Sequence, residues 1–94
     1  TALETVFQCF QILNNFDIPV GIEFPLGQAP CDIPSATQWT SATDMRNHVI
    51  YYRTMYNSVI RNIDLRSIDF STVRYRAVSM DGTKRQAVET IKIE

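Results

Sequence analysis

Ninety-four residues, 45% hydrophobic and 20% charged, suit one globular domain or a piece of a larger one; they exclude disordered, collagenous and low-complexity chains. A net charge of −1 argues against a dedicated nucleic-acid binder or a polybasic membrane clamp, and the apolar runs are too short for a bilayer-spanning helix. Two cysteines and one histidine are too few for a disulfide framework or for most zinc sites.

The first predicted element is a helix over residues 2–15. Leu3, Val6, Phe7, Phe10 and Leu13 recur at three- and four-residue spacing, opposite Glu4, Gln8, Gln11 and Asn15. Thr1 and Glu4 fit a capping box, in which each side chain satisfies a free N–H of the first turn. Ala2, Cys9 and Ile12 widen the apolar stripe, which predicts cover on more than one side. Asn14-Asn15 offers a stop, because Asn tolerates the left-handed conformation that ends many helices.

Residues 16–36 hold all four prolines and read as a long crossing rather than a helix or a central strand. Alternation from Phe16 to Leu26 would allow an extended edge segment in its first part. Antiparallel strands are predicted over 37–78. Thr37–Thr43 and Val49–Tyr56 form a hairpin about the turn Asp44–His48, Asn57-Ser58 punctuates, and Val59–Leu65 is extended again. Arg66–Ser71 reads as a bend, and Val73, Tyr75 and Ala77 read as a last strand. Asp81-Gly82 reads as a turn, and the tail, 79–94, is left ambiguous, with strand character near Ile91 and Ile93. Charge divides unevenly: residues 1–36 carry −4 and residues 37–94 carry +3, so the two parts attract weakly. No basic start followed by an apolar stretch reads as a signal peptide, which fits a mature product or a fragment.

Four sets of residues invite a chemical reading. An N-terminal Thr can act as a nucleophile with its own amino group as base, but Glu4 makes Thr1 a helix cap. Cys9 lies in the apolar stripe and reads as a small hydrophobe, whereas Cys31 stands beside Asp32, whose charge disfavours a thiolate. His48, in a polar turn, reads as solvent-facing. Tyr51, Tyr52, Tyr56 and Tyr75 with Arg53, Arg61, Arg74 and Arg76 resemble the raw material of a single-strand nucleic-acid platform. Asp44, Asp64 and Asp69 interrupt that set, which favours a sheet whose arginines cover its wet face. No catalytic, cofactor-binding or metal-binding residue is therefore assigned, and no cofactor, nucleic-acid partner or membrane contact is expected.

Three segments in order, Phe10-Gln-Ile-Leu-Asn-Asn-Phe-Asp-Ile-Pro19, Thr37-Gln-Trp-Thr-Ser41, and Tyr51-Tyr-Arg-Thr-Met-Tyr-Asn57 followed by Ile60-Arg-Asn-Ile-Asp-Leu65, resemble the choloylglycine hydrolase and penicillin V acylase family of linear amide C–N hydrolases. The resemblance covers about residues 3–70, and the Thr-Gln-Trp-Thr to Tyr-Tyr-Arg-Thr hairpin is its most specific part. It implies an α+β chain, one N-terminal helix with antiparallel strands, forming the C-terminal part of an αββα N-terminal-nucleophile hydrolase. Residues 1–94 would then be a single, incomplete segment of a larger domain. The family cleaves penicillin V, conjugated bile salts or acyl-homoserine lactones through an N-terminal Cys whose motifs lie upstream of this stretch. The resemblance thus implies an inactive piece of an active parent, partnered by the remainder of the hydrolase chain and by further copies of itself. The wording Tyr-Tyr-Arg-Thr-Met-Tyr-Asn is similar to Gram-negative members, which implies a periplasmic location, with the cytoplasm as the alternative. The competing expectation is a free-standing, non-enzymatic interaction module that binds through an exposed sheet edge.

Overall fold

The computed structural model describes residues 1–19, 36–72, 77–82 and 85–93. Helix α1 runs over Ala2–Leu13 and continues as a 3-10 turn, Asn14–Phe16. The capping box is formed: Glu4 N–H donates to Thr1 Oγ1 at 3.2 Å, and the Thr1 nitrogen donates to Glu4 Oε2 at 2.9 Å. The helix does not stop through a left-handed Asn. Asn14 stays right-handed at φ −56°, ψ −28°, and its N–H reaches back to the Ile12 and Phe10 carbonyls. The Asn15 side-chain amide also donates to Ile12 O, at 3.0 Å, so orphan carbonyls are met by tightening the last turn.

Strands β1 (Trp39–Asp44), β2 (Val49–Thr54) and β3 (Asn57–Asp64) form one antiparallel sheet in the order β1-β2-β3. With α1 they make an α+β fold, as the composition of elements predicted. The β1–β2 register runs from Trp39 opposite Thr54 to Asp44 opposite Val49, closing a four-residue loop. Asp44 organises that loop. Its Oδ1 accepts the Arg46 and Asn47 N–H groups at 3.1 and 3.0 Å, and its Oδ2 accepts the Asn47 side-chain amide at 2.7 Å. His48 closes the loop at φ 59°, a left-handed position where histidine is one of the few tolerated side chains.

The Asn47 side-chain amide, then the Asn47 and Arg46 N–H groups and the nearby Arg46 charge, hold the Asp44 carboxyl below its ordinary value of 3.8. A depressed folded value means that the ionised form favours the fold above that ordinary value. The contribution is lost as pH falls through the lowered one. An NMR titration should therefore place the Asp44 midpoint below 3.8, with the Asn47 amide signals moving in the same step. A midpoint at or above 3.8 would contradict the loop geometry.

The second hairpin corrects one expectation. Asn57-Ser58 does not interrupt the sheet but opens β3, and the turn is Met55-Tyr56, set by Thr54 opposite Asn57. His48 is the only non-glycine with positive φ among the described residues, so this two-residue turn is not of the primed types that match strand twist. The mismatch is absorbed at once. Tyr52 pairs with Arg61 and Thr54 with Asn57, so residues 58–60 of β3 stand opposite Arg53 alone.

Beyond β3 the strand prediction fails where it can be compared. A 3-10 turn, Leu65–Ser67, follows Asp64, whose Oδ1 accepts Arg66 N–H while Ser67 Oγ donates to the Asp64 carbonyl. Ala77 and Val78 are exposed and irregular, and so are Ile91 and Ile93. The body of the Pro-rich crossing, 20–35, and residues 73–76 of the expected last strand lie outside the described residues. The two ends of the crossing are tied: Ile18 N–H donates to Thr37 Oγ1 at 2.9 Å and Thr37 N–H to Ile18 O at 3.1 Å.

The core is small and one-sided. Helix α1 packs on β1 and buries Val6 and Phe10, while Leu3, Phe7 and Ile12 stay exposed. Among the described residues the wide apolar stripe is thus covered on one side, contrary to expectation.

Candidate functional site

Strand alternation sorts the chemistry-bearing side chains onto two faces. Thr40 and Ala42, with Arg53 and Tyr51 opposite them, belong to the helix-covered face; Trp39 and Ser41, with Thr54, Tyr52, Arg61, Ile50 and Ile63, belong to the other. The Tyr–Arg set is therefore split. Arg53 stacks on the Phe10 ring at 5.2 Å, and Arg61 lies over the Tyr52 ring at 4.7 Å, so each guanidinium is taken up inside the chain. Tyr56 sits in the second turn, and Arg74, Tyr75 and Arg76 lie outside the described residues.

The densest polar cluster surrounds Arg61. Its Nη1 donates to Asp81 Oδ1 at 2.9 Å and to the Met80 carbonyl at 2.7 Å. Its Nη2 reaches the Asn57 carbonyl at 3.1 Å and Thr54 Oγ1 at 3.4 Å. Thr54, the one buried polar residue described, donates its hydroxyl to Asp81 Oδ1 at 2.7 Å, and Tyr52 OH donates to Met80 O at 3.1 Å. A hydroxyl on a carboxylate has the outline of an activated nucleophile. Here Asp81 is paired with Arg61 and Thr54 is buried, so the hydroxyl and carboxylate serve as a packed structural contact. The cluster fastens residues 79–81 to the sheet. Asp81 was legible in the sequence only as a turn residue, because nothing local links it to an arginine 20 residues away.

Two concavities flank the sheet. A cleft of about 380 Å³ lies between the end of α1 and β2, lined by Asn14, Asp17, Thr40, Arg53, Met55 and Ser58 among others. Arg53 Nη2 has no hydrogen-bond partner, yet it is sealed from solvent and cannot be met by a ligand in the cleft. Its place against Phe10 puts a positive charge beside the last turn of α1, which has no basic residue of its own. The second concavity, about 850 Å³, runs along the open sheet face and is mostly apolar, with Trp39, Ile50, Tyr52, Ile63, Phe70 and Met80 along it.

The remaining candidates stay apart. Thr1 caps α1, Cys9 is a half-buried free thiol on the helix, and His48 is exposed at the hairpin tip. Cys31 lies outside the described residues. Asp69 is held below its ordinary value by the Ser71 hydroxyl first and the Ser71 N–H next, which form a local turn. Among the described residues no three His, Cys, Asp or Glu side chains gather as metal ligands, and no helix is long and apolar enough to cross a membrane. No family model, curated protein or solved structure matches the chain.

Proposed function

We propose that the chain is the C-terminal structural part of a linear amide C–N hydrolase of the choloylglycine hydrolase and penicillin V acylase type. In this reading it contributes a helix and sheet strands to a parent whose attacking Cys lies upstream. The observation that carries it is the one-sided sheet: α1 covers one face, while the other is apolar and open, as a layer awaiting its partner layer would be. The order of the resembling segments adds support. Phe10–Pro19 spans the end of α1, Thr37–Ser41 leads into β1, Tyr51–Asn57 is β2 with its turn, and Ile60–Leu65 completes β3. The remainder of the hydrolase chain is then the principal partner, a small amide the substrate of the whole protein, and the periplasm its location.

Intact mass of the mature source protein is the direct test. A polypeptide several times longer that begins with Cys is expected; a natural 94-residue product would overturn the reading and favour the interaction module, whose supporting observation is the outer edge of β1, without a backbone partner among the described residues. The purified chain is expected to show no turnover of penicillin V or a glycine-conjugated bile salt. Hydrolysis that survives blocking of both thiols would place chemistry within these 94 residues.

A further inference from the structure

We propose that Asp81-Gly82 is a site of spontaneous isoaspartate formation, which the grip of Arg61 and Thr54 on the Asp81 carboxylate holds closed in the folded chain. Asp81 is the only one of six aspartates followed by glycine; the other five precede Ile, Met, Leu or Phe. An aspartate rearranges when the backbone nitrogen of the next residue attacks its side-chain carboxyl carbon, and a glycine, lacking a Cβ, leaves that nitrogen least shielded. Gly82 is exposed, and a Cβ built on it would meet nothing within 4 Å. The reactive pair is thus written in the chain, and the fold decides whether it closes.

Both reacting groups are pinned, each by different partners. Asp81 Oδ1 accepts Arg61 Nη1 at 2.9 Å and the Thr54 hydroxyl at 2.7 Å, which draws the carboxylate onto the sheet. The Asp81 main-chain carbonyl shares its peptide plane with the Gly82 nitrogen, and it accepts the Ser79 hydroxyl at 2.9 Å. Ring closure starts from the neutral carboxyl: Gly82 N bonds to Asp81 Cγ, and the carboxyl hydroxyl leaves as water with the amide hydrogen. The Arg61 charge favours the ionised, unreactive form, and the two donors on Oδ1 fix the side chain where it lies. Once the ring has formed, solvent water opens it at the former main-chain carbonyl, and the chain runs on through the side-chain methylene. The carboxylate then sits directly on Cα, shorter than the reach that Arg61 and Thr54 require, so residues 79–81 lose this fastening for good. The inference concerns this segment alone and does not rest on the hydrolase reading.

Incubation of the full chain at neutral pH, with and without denaturing urea, is the test. Isoaspartate is read by enzymatic methyl transfer to its free α-carboxylate and located by fragmentation mass spectrometry. The unfolded chain is expected to convert Asp81 roughly tenfold faster than the folded one, the factor that about 1.4 kcal/mol of grip supplies. Arg61→Ala should raise the folded-state rate by a similar roughly tenfold factor. Thr54→Val, which leaves the Arg61 pair in place, should raise it roughly two- to tenfold, and it decides the matter if circular dichroism shows that Arg61→Ala has lost the sheet. Gly82→Ala, for which there is open space, should suppress the conversion in urea by shielding the attacking nitrogen. The proposal is overturned by equal rates in the folded and unfolded chain, or by a folded-state rate that neither Arg61→Ala nor Thr54→Val raises. Isoaspartate that forms first at another aspartate, or at the full rate in Gly82→Ala, would overturn it equally.

Discussion

Replacing Phe10 by Ala is expected to cost about 3–5 kcal/mol, enough to detach α1 from the sheet. Phe10 is 3% exposed, the most deeply buried side chain of the helix, and it holds two things at once. Its ring fills the space between α1 and the sheet, and its face carries the Arg53 guanidinium. Truncation would open a cavity and also leave a half-buried cation, one of whose nitrogens already lacks an acceptor, without its aromatic neighbour. Phe10→Leu should cost far less, since it keeps most of the volume and loses only the ring face. Far-UV circular dichroism through a urea titration reads both variants. Equal midpoints for Phe10→Ala and the unaltered chain would show that α1 is held by something else.

Arg61→Ala should destabilise the chain by about 2–4 kcal/mol, because it removes one partner of a largely buried ion pair. Asp81, 9% exposed at its side chain, would lose its guanidinium partner, the Met80 and Asn57 carbonyls would lose a donor, and the Tyr52 ring would lose its cover. Arg61→Met restores the stem that packs on Tyr52 but none of the hydrogen bonds, so it separates packing from polar loss; it should recover less than half of the deficit. Hydrogen exchange at residues 77–82 localises the effect. Exchange there that is no faster in Arg61→Ala than in the parent sequence would mean the cluster does not fasten this segment.

Local interactions were readable and distant ones were not. The Thr1–Glu4 capping box and the first hairpin about Asp44–His48 depend on residues close to one another in the chain, and both appear as expected. The second turn was misplaced because Asn57 carries a turn-like signal inside a strand: its side-chain carbonyl accepts the Val59 N–H at 3.0 Å, the same local bond Asn makes in turns. Helix periodicity marked an apolar stripe without telling what stands against it, so the exposure of Leu3 and Phe7 could not be foreseen. The Arg61–Asp81 cluster joins β3 to a segment with no periodic pattern, and only the folded chain brings the two together.

The irregular opening of β3 has a consequence for growth by strand addition. Ser58 N–H donates to the Gln86 side chain, Val59 N–H to Asn57 Oδ1, and the Val59 carbonyl accepts Arg61 Nε at 3.2 Å. The groups that an incoming strand would read at this end of β3 are therefore occupied by the chain's own side chains. The outer edge of β1 has no backbone partner among the described residues. An incoming strand is therefore better met along the outer edge of β1 than at the opening of β3.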